Sequence, residues 1–246
     1  AQYRNLLALP DEKTPLNPVV TGGFEREGYR VETLYFESLP RLYVAANLYI
    51  PTTAPDEPRP AVLYLCGHSS EQKFHYQAHA RRFAQLGFVC LIVDTIQYGE
   101  VFGEHCGTYA RGYWNWYSRG YTSAGVETWN AIRALDLLES LDYVDASRMG
   151  STGTSGGGSV SYWLGAVDER LRCVGASCCT STIAGHVIER TIQGHCDCVL
   201  YQNPLLWDWV DITALLAPRP LLIASADRDV LFSINAIQEH YERLRK

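Results

Sequence analysis

The residues best suited to covalent chemistry lie in "GTSGG", residues 153–157, where Ser155 is flanked by Gly153, Gly156 and Gly157. A serine between glycines at a strand-to-helix junction suits a nucleophile. The sharp turn needs small neighbours, strains the serine backbone and exposes its hydroxyl. The helix start that follows offers free N–H groups and the positive end of a dipole to an oxyanion. The bare pattern is a weak signal in a glycine-rich chain, so neighbouring segments must discriminate. In "LYLCGHSSEQ", His68 directly after Gly67 is expected to give a main-chain N–H to the oxyanion beside that of Gly156, its imidazole only lining the pocket. In "LLIASADRDVLF", Asp227 and Asp229 stand at another strand end, where a carboxylate can orient a histidine. Asp229, past the short turn, is preferred, and Asp227 is read as a turn residue.

The histidine itself is the difficulty. In the order serine, acid, histidine it belongs on a loop after a further helix and strand, and too few residues follow Asp229 to build both. His240, the only histidine after the acid, falls in the last helix, whose packing is expected to hold it away from Ser155. His68, His75, His79, His105, His186 and His195 precede the acid and would need an unusual order. The expectation is therefore that the base and the last strand lie beyond Lys246. His195, Cys196, Asp197 and Cys198 in "GHCDC" form the densest set of metal-ligand types. Near-adjacent side chains converge poorly on a tetrahedral ion and there is no paired CxxC spacing, so no metal is expected.

The elements that must position these residues follow from the hydrophobic pattern. "YRVETLYFES" and "RLYVAANLYIP" alternate as a hairpin or meander does, whereas "AVLYLCG" and "FVCLIVD" are continuous apolar runs of buried-strand length. "HYQAHARRFAQLG" between them reads as a helix ending at Gly87. Residues 123–141 read as a long helix with Ser123 as N-cap; "RMGSTG", "LRCVGAS" and "RPLLIASA" read as strands, and a last helix starts near Ser233. Residues 1–28, with three prolines and Gly22–Gly23, read as an irregular arm ahead of a single α/β domain over 29–246. That domain is a mostly parallel, doubly wound sheet opened by an antiparallel N-terminal hairpin and lacking its last strand. Residues 94–122 make a long loop at a strand end. In it Trp114 and Trp116 suit sugar faces and Arg111 or Arg119 suits a carboxylate, unless the aromatics only anchor the loop.

Composition narrows the partners. The net charge of −6, with no basic run, speaks against nucleic acid and anionic membranes, and no apolar stretch reaches bilayer-spanning length. Cys66, Cys90 and Cys173 sit in apolar runs, where cysteine acts as a small hydrophobe, and unpaired cysteines favour a reducing, cytoplasmic compartment. The start "AQYRN", without methionine, suits a processed secreted or periplasmic protein, so both compartments stay open.

Together, "GSTGTSGGG", "DTIQYGE", "YWNWYSRGYTSAGVETWNAIRALD", "GHCDC" and "APRPLLIASADRDVLF" resemble the acetyl xylan esterase-like branch of the α/β-hydrolase superfamily over most of residues 40–245. The resemblance implies an α/β-hydrolase fold and serine-dependent hydrolysis of an acetylated saccharide or other small ester, with neither metal nor organic cofactor. Gln97, Gly99, Glu100 and Val101 depart from the glycine-x-glycine-glutamate-arginine turn of such proteins. The competing readings are a glucuronoyl esterase gripping its uronate with an arginine, a serine peptidase of the prolyl-oligopeptidase type, and a carbohydrate-binding pseudohydrolase.

Overall fold

A computed structural model describes residues 1–52, 57–103, 105–106, 112, 114–194 and 203–246. Its first helix is the short α1 (Gln2–Leu6), after which Val19–Arg26 (β1), Tyr29–Leu39 (β2) and Leu42–Pro51 (β3) form an antiparallel meander. The first 28 residues are therefore irregular only over 7–18, with a helix before that stretch and a strand after it. Every residue of β1 is exposed, so no alternation of apolar and polar positions marks it in the sequence, and Gly22–Gly23 lie in the ladder opposite Thr33 and Glu32 rather than in a turn. A β-carbon at Gly23 would press on the Val31 carbonyl of β2, a close approach that only glycine tolerates.

Strand β3 joins the sheet through Val89–Val93 (β5), antiparallel. From there Arg59–Leu65 (β4), Val144–Thr154 (β6), Leu171–Ser177 (β7) and Leu221–Ala224 (β8) continue in parallel, giving one eight-stranded sheet in the order β1-β2-β3-β5-β4-β6-β7-β8. The continuous apolar runs are explained by cover on both faces. Ala61, Leu63 and Leu65 of β4 enter one core cluster, whereas Val62 and Tyr64 enter the other, with Ala80 and Ala84 of helix α2 (Gln77–Gln85). Side chains alternating across a strand divide these clusters.

The larger cluster lies under α3 (Ser123–Glu139) and α4 (Gly156–Val167), with Trp209 and Ile212 of α6 (Trp209–Ala214) and Ile237 of α7 (Ile234–Leu244) at one end; α5 (Ile183–Ile188) precedes them in the chain. Thr122, not Ser123, caps α3, its hydroxyl accepting the Gly125 N–H at 3.0 Å. The last helix starts next to Ser233, as expected, and the Ser233 hydroxyl caps it by accepting the Ala236 N–H. Cys173 differs from its reading: in β7 it is exposed, while Cys66, Cys90 and Cys179 are buried.

Candidate active site

Strands β4, β5, β6 and β8 are parallel, so their carboxyl ends open at one edge of the sheet, where α/β folds bind ligands. The expected residues emerge there: His68 after β4, Ser155 after β6 and Asp229 after β8.

Ser155 is the hinge between β6 and α4. Its φ of 55° and ψ of −126° fall where L-residues are strained, and its N–H is held by the Ser177 carbonyl at 2.9 Å. It stands at the N-cap position of α4, yet its side chain makes no capping hydrogen bond. The hydroxyl is therefore not committed to closing the helix. The neighbouring glycines serve close approach. A β-carbon at Gly153 or Gly157 would meet the Leu65 carbonyl, and one at Gly158 would meet the Cys179 side chain. The strained backbone belongs to the serine, while the glycines let α4 start directly against the end of β4.

At Gly156 the obstructing group is the His68 imidazole, which lies over its α-carbon. The residues expected to give the two oxyanion amides are thus in contact. The His68 ring also packs on His105, centroids 4.4 Å apart, and on Tyr98 at 5.5 Å. Buried His105 in turn places Nδ1 against the buried carboxylate of Glu127 on α3. This His105–Glu127 pair was not anticipated from the sequence, because nothing in the spacing of the two residues links a loop to a helix.

Asp229 accepts the N–H groups of Leu231 and Phe232 through Oδ1, at 2.8 and 3.1 Å. No histidine among the described residues bonds to it, which leaves Oδ2 unengaged. It is half-buried and lies close enough for its charge to act on the Cys179 thiol, which burial raises first and Asp229 raises further. Asp227 is exposed. His240 is fully buried in α7: Nδ1 donates to the Ser181 carbonyl at 2.7 Å, and Nε2 lies 2.8 Å from the Thr213 hydroxyl. As its place in the helix suggested, it is held by packing.

The wall after β5 is built around Asp94. The Lys73 ammonium bonds to Asp94 and, at 2.5 Å, to Glu100, while the Glu100 N–H gives to Asp94 Oδ2 at 3.0 Å. Burial opposes the charge on Lys73, and the two carboxylates outweigh it, holding the amine above its usual range. Gly99, with φ of 58°, leaves room for the Asp94 carboxylate. Lys73, Phe74, Gln77 and Glu100 also line a groove of about 410 Å³ beside β1–β3. On the long loop Trp114 is 65% exposed and packs at 6.0 Å on Tyr117, Trp116 is half-buried and Arg119 exposed. Arg111, His195, Cys196, Asp197 and Cys198 lie outside the described residues. No group of potential metal ligands occurs among the described residues, and no described helix is long and apolar enough to cross a membrane.

A strained serine at a strand-to-helix turn, with an acid-bearing turn and an amide-bearing loop at the same sheet edge, defines a serine hydrolase of the α/β-hydrolase fold. Residues 12–179 match the acetyl xylan esterase (AXE1) family, and the chain belongs to that family of enzymes acting on carboxylic esters. It is 26% identical over 243 residues to YtaP of Bacillus subtilis (strain 168), named as a hydrolase, covering 89% of this chain and 76% of that protein. Among solved structures it resembles BF1801 of Bacteroides fragilis NCTC 9343, assigned as an acetyl xylan esterase, with a TM-score of 0.77, 18% identity, and 99% of this chain and 69% of that one covered. A glucuronoyl esterase from Solibacter usitatus aligns with a TM-score of 0.72, 16% identity, and 99% and 77% coverage. At such identities the structural likeness speaks for the fold alone.

Proposed function

We propose that the protein deacetylates a carbohydrate by two-step acyl transfer through Ser155. The observation that carries this reading is the conformation of Ser155, strained and uncapped at the start of α4 with Gly156 against His68. The Ser155 oxygen attacks the ester carbonyl carbon while its proton passes to a histidine base. The carbonyl electron pair moves onto oxygen, where the Gly156 and His68 amides receive the charge. Collapse restores the carbonyl, breaks the bond to the sugar oxygen and returns the proton to it. Water then repeats the sequence on the acyl-enzyme and releases acetate.

Asp229 orients the base through its unengaged Oδ2. His240 is not that base, since both its nitrogens are engaged inside the fold. Trp114, Trp116, Arg111 and Arg119 are assigned to the sugar-binding wall on chemistry alone, as aromatic faces and guanidinium groups suit sugar rings and their carboxylates.

The test is acetate release from acetylated xylan by the full chain and its Ser155→Ala variant, with a uronate methyl ester in parallel and a fluorophosphonate label on Ser155. Release is expected to fall roughly 10⁴-fold or more in the variant, with labelling lost. Equal release by the two proteins, a preference for the uronate ester, or sugar binding without labelling would overturn the reading.

A further inference from the structure

Gln72 is fully buried although Ser70 and Glu71 just before it are exposed. Its backbone takes the left-handed conformation, with φ of 43°, which a non-glycine residue adopts only where its surroundings over-determine it. What determines it here is its amide. Nε2 donates to the carbonyl of Gly67 at 2.8 Å and to that of Ser69 at 2.7 Å, while Oε1 accepts the Thr95 N–H at 2.8 Å. The Thr95 hydroxyl closes the circuit by donating to the Cys66 carbonyl at 3.2 Å. One side chain thus ties the loop after β4 to the loop after β5.

The Gly67 carbonyl and the His68 N–H belong to the same peptide unit. That unit is planar and trans, so its C=O and N–H point in opposite directions. Holding the carbonyl against Gln72 therefore fixes the direction in which the His68 N–H is presented. A main-chain amide stabilises a developing oxyanion only when aimed within about 2.7–3.1 Å of the place that oxygen will occupy. A loop free to rotate this peptide would lose that donor without losing the substrate pocket.

We propose that Gln72 is a positioning residue of the oxyanion hole, aiming the His68 amide through its hold on the Gly67 carbonyl. The inference rests on the Ser155 acyl-transfer reading. It makes no claim that Gln72 touches substrate.

Two variants of the full chain test it. Gln72→Glu keeps the shape and the acceptor for Thr95 but loses both donors, and Gln72→Met removes the polar group without burying a charge. Each is assayed on 4-nitrophenyl acetate at a temperature where its circular dichroism is native, with the rate of Ser155 phosphonylation measured alongside. Expected is a fall in kcat of about 10–100-fold with KM unchanged, because the lost interaction exists only in the transition state. Phosphonylation, which also builds charge on an oxygen in the hole, is expected to slow in step. Full kcat in Gln72→Met, or a loss confined to KM, overturns the inference; if Gln72→Glu does not fold, Gln72→Met decides. Ser155→Ala separates the two levels. If it is inert while the Gln72 variants keep full kcat, only the positioning role fails, and if it turns over like the parent, the acyl-transfer reading has failed first.

Discussion

His240 shows how burial can remove a histidine from chemistry while making it sensitive to acid. Burial lowers its pKa below the ordinary 6.5, against the smaller opposing effects of the Ser181 carbonyl and the Asp208 charge. With Nδ1–H given to Ser181, the neutral ring can accept from Thr213, so the packed state wants it uncharged. In the unfolded chain the ring titrates near 6.5. Between that value and the lower folded one, the unfolded state binds more protons, so stability is complete above about pH 6.5 and falls as pH drops toward the folded pKa. The melting temperature of the parent is therefore expected to drop between about pH 7.5 and pH 5.5 more steeply than that of His240→Gln. Parallel curves for the two proteins would show that the ring does not titrate with unfolding. The other buried side chain that matters, Gln72, was invisible in the sequence. "SSEQK" reads as a solvated loop, and no periodicity marks a polar group whose partners lie on two separate strand ends.

At the level of elements, the sheet interior was legible and its margin was not. β5, and β4 from Ala61 onward, are apolar throughout because helices cover both faces, and β2 and β3 alternate; each pattern states its own cause. β1 carries no pattern because none of its residues is buried, and α1 is too short to show a period. The strand-to-helix turn at Ser155 was legible through its glycines, read as the small neighbours that a sharp turn needs. Gly153 and Gly157 admit the backbone of β4, Gly156 the His68 ring and Gly158 the Cys179 side chain. Gly157 shows this best, since an added β-carbon would meet both the Leu65 and Cys66 carbonyls, which are backbone and cannot swing away. Gly157→Ala is expected to cost about 1–3 kcal/mol of stability, as overpacking does, and to lower ester turnover by shifting the start of α4. A urea unfolding midpoint unchanged from the parent would contradict this.

Across the whole molecule, the N-terminal segment docks against α3, the helix that begins at Ser155 and the stretch just before α6. Tyr3 stacks on Trp207 at 6.1 Å and meets Trp163 of α4 edge-on at 6.2 Å. A side chain at Gly125 of α3 would strike the Leu7 carbonyl, so the N-terminal turn lies flush on that helix. Tyr3, Leu6 and Leu7 are all buried. Deleting residues 1–9 is expected to remove roughly 3 kcal/mol or more, the low end for side-chain burial after discounting the ordering of the segment. The loss should appear as a lower denaturation midpoint with the far-ultraviolet spectrum largely kept; an unchanged midpoint would mean that the docked segment adds nothing.

This seat has a temporal side. Tyr3 and Leu7 have their partners at Gly125, Trp163 and Trp207, so during synthesis this apolar segment has no cover until the chain has grown past those positions. Sequence-distant closure of this kind is slow to form, and the nascent chain must carry a sticky segment across the whole span from Tyr3 to Trp207.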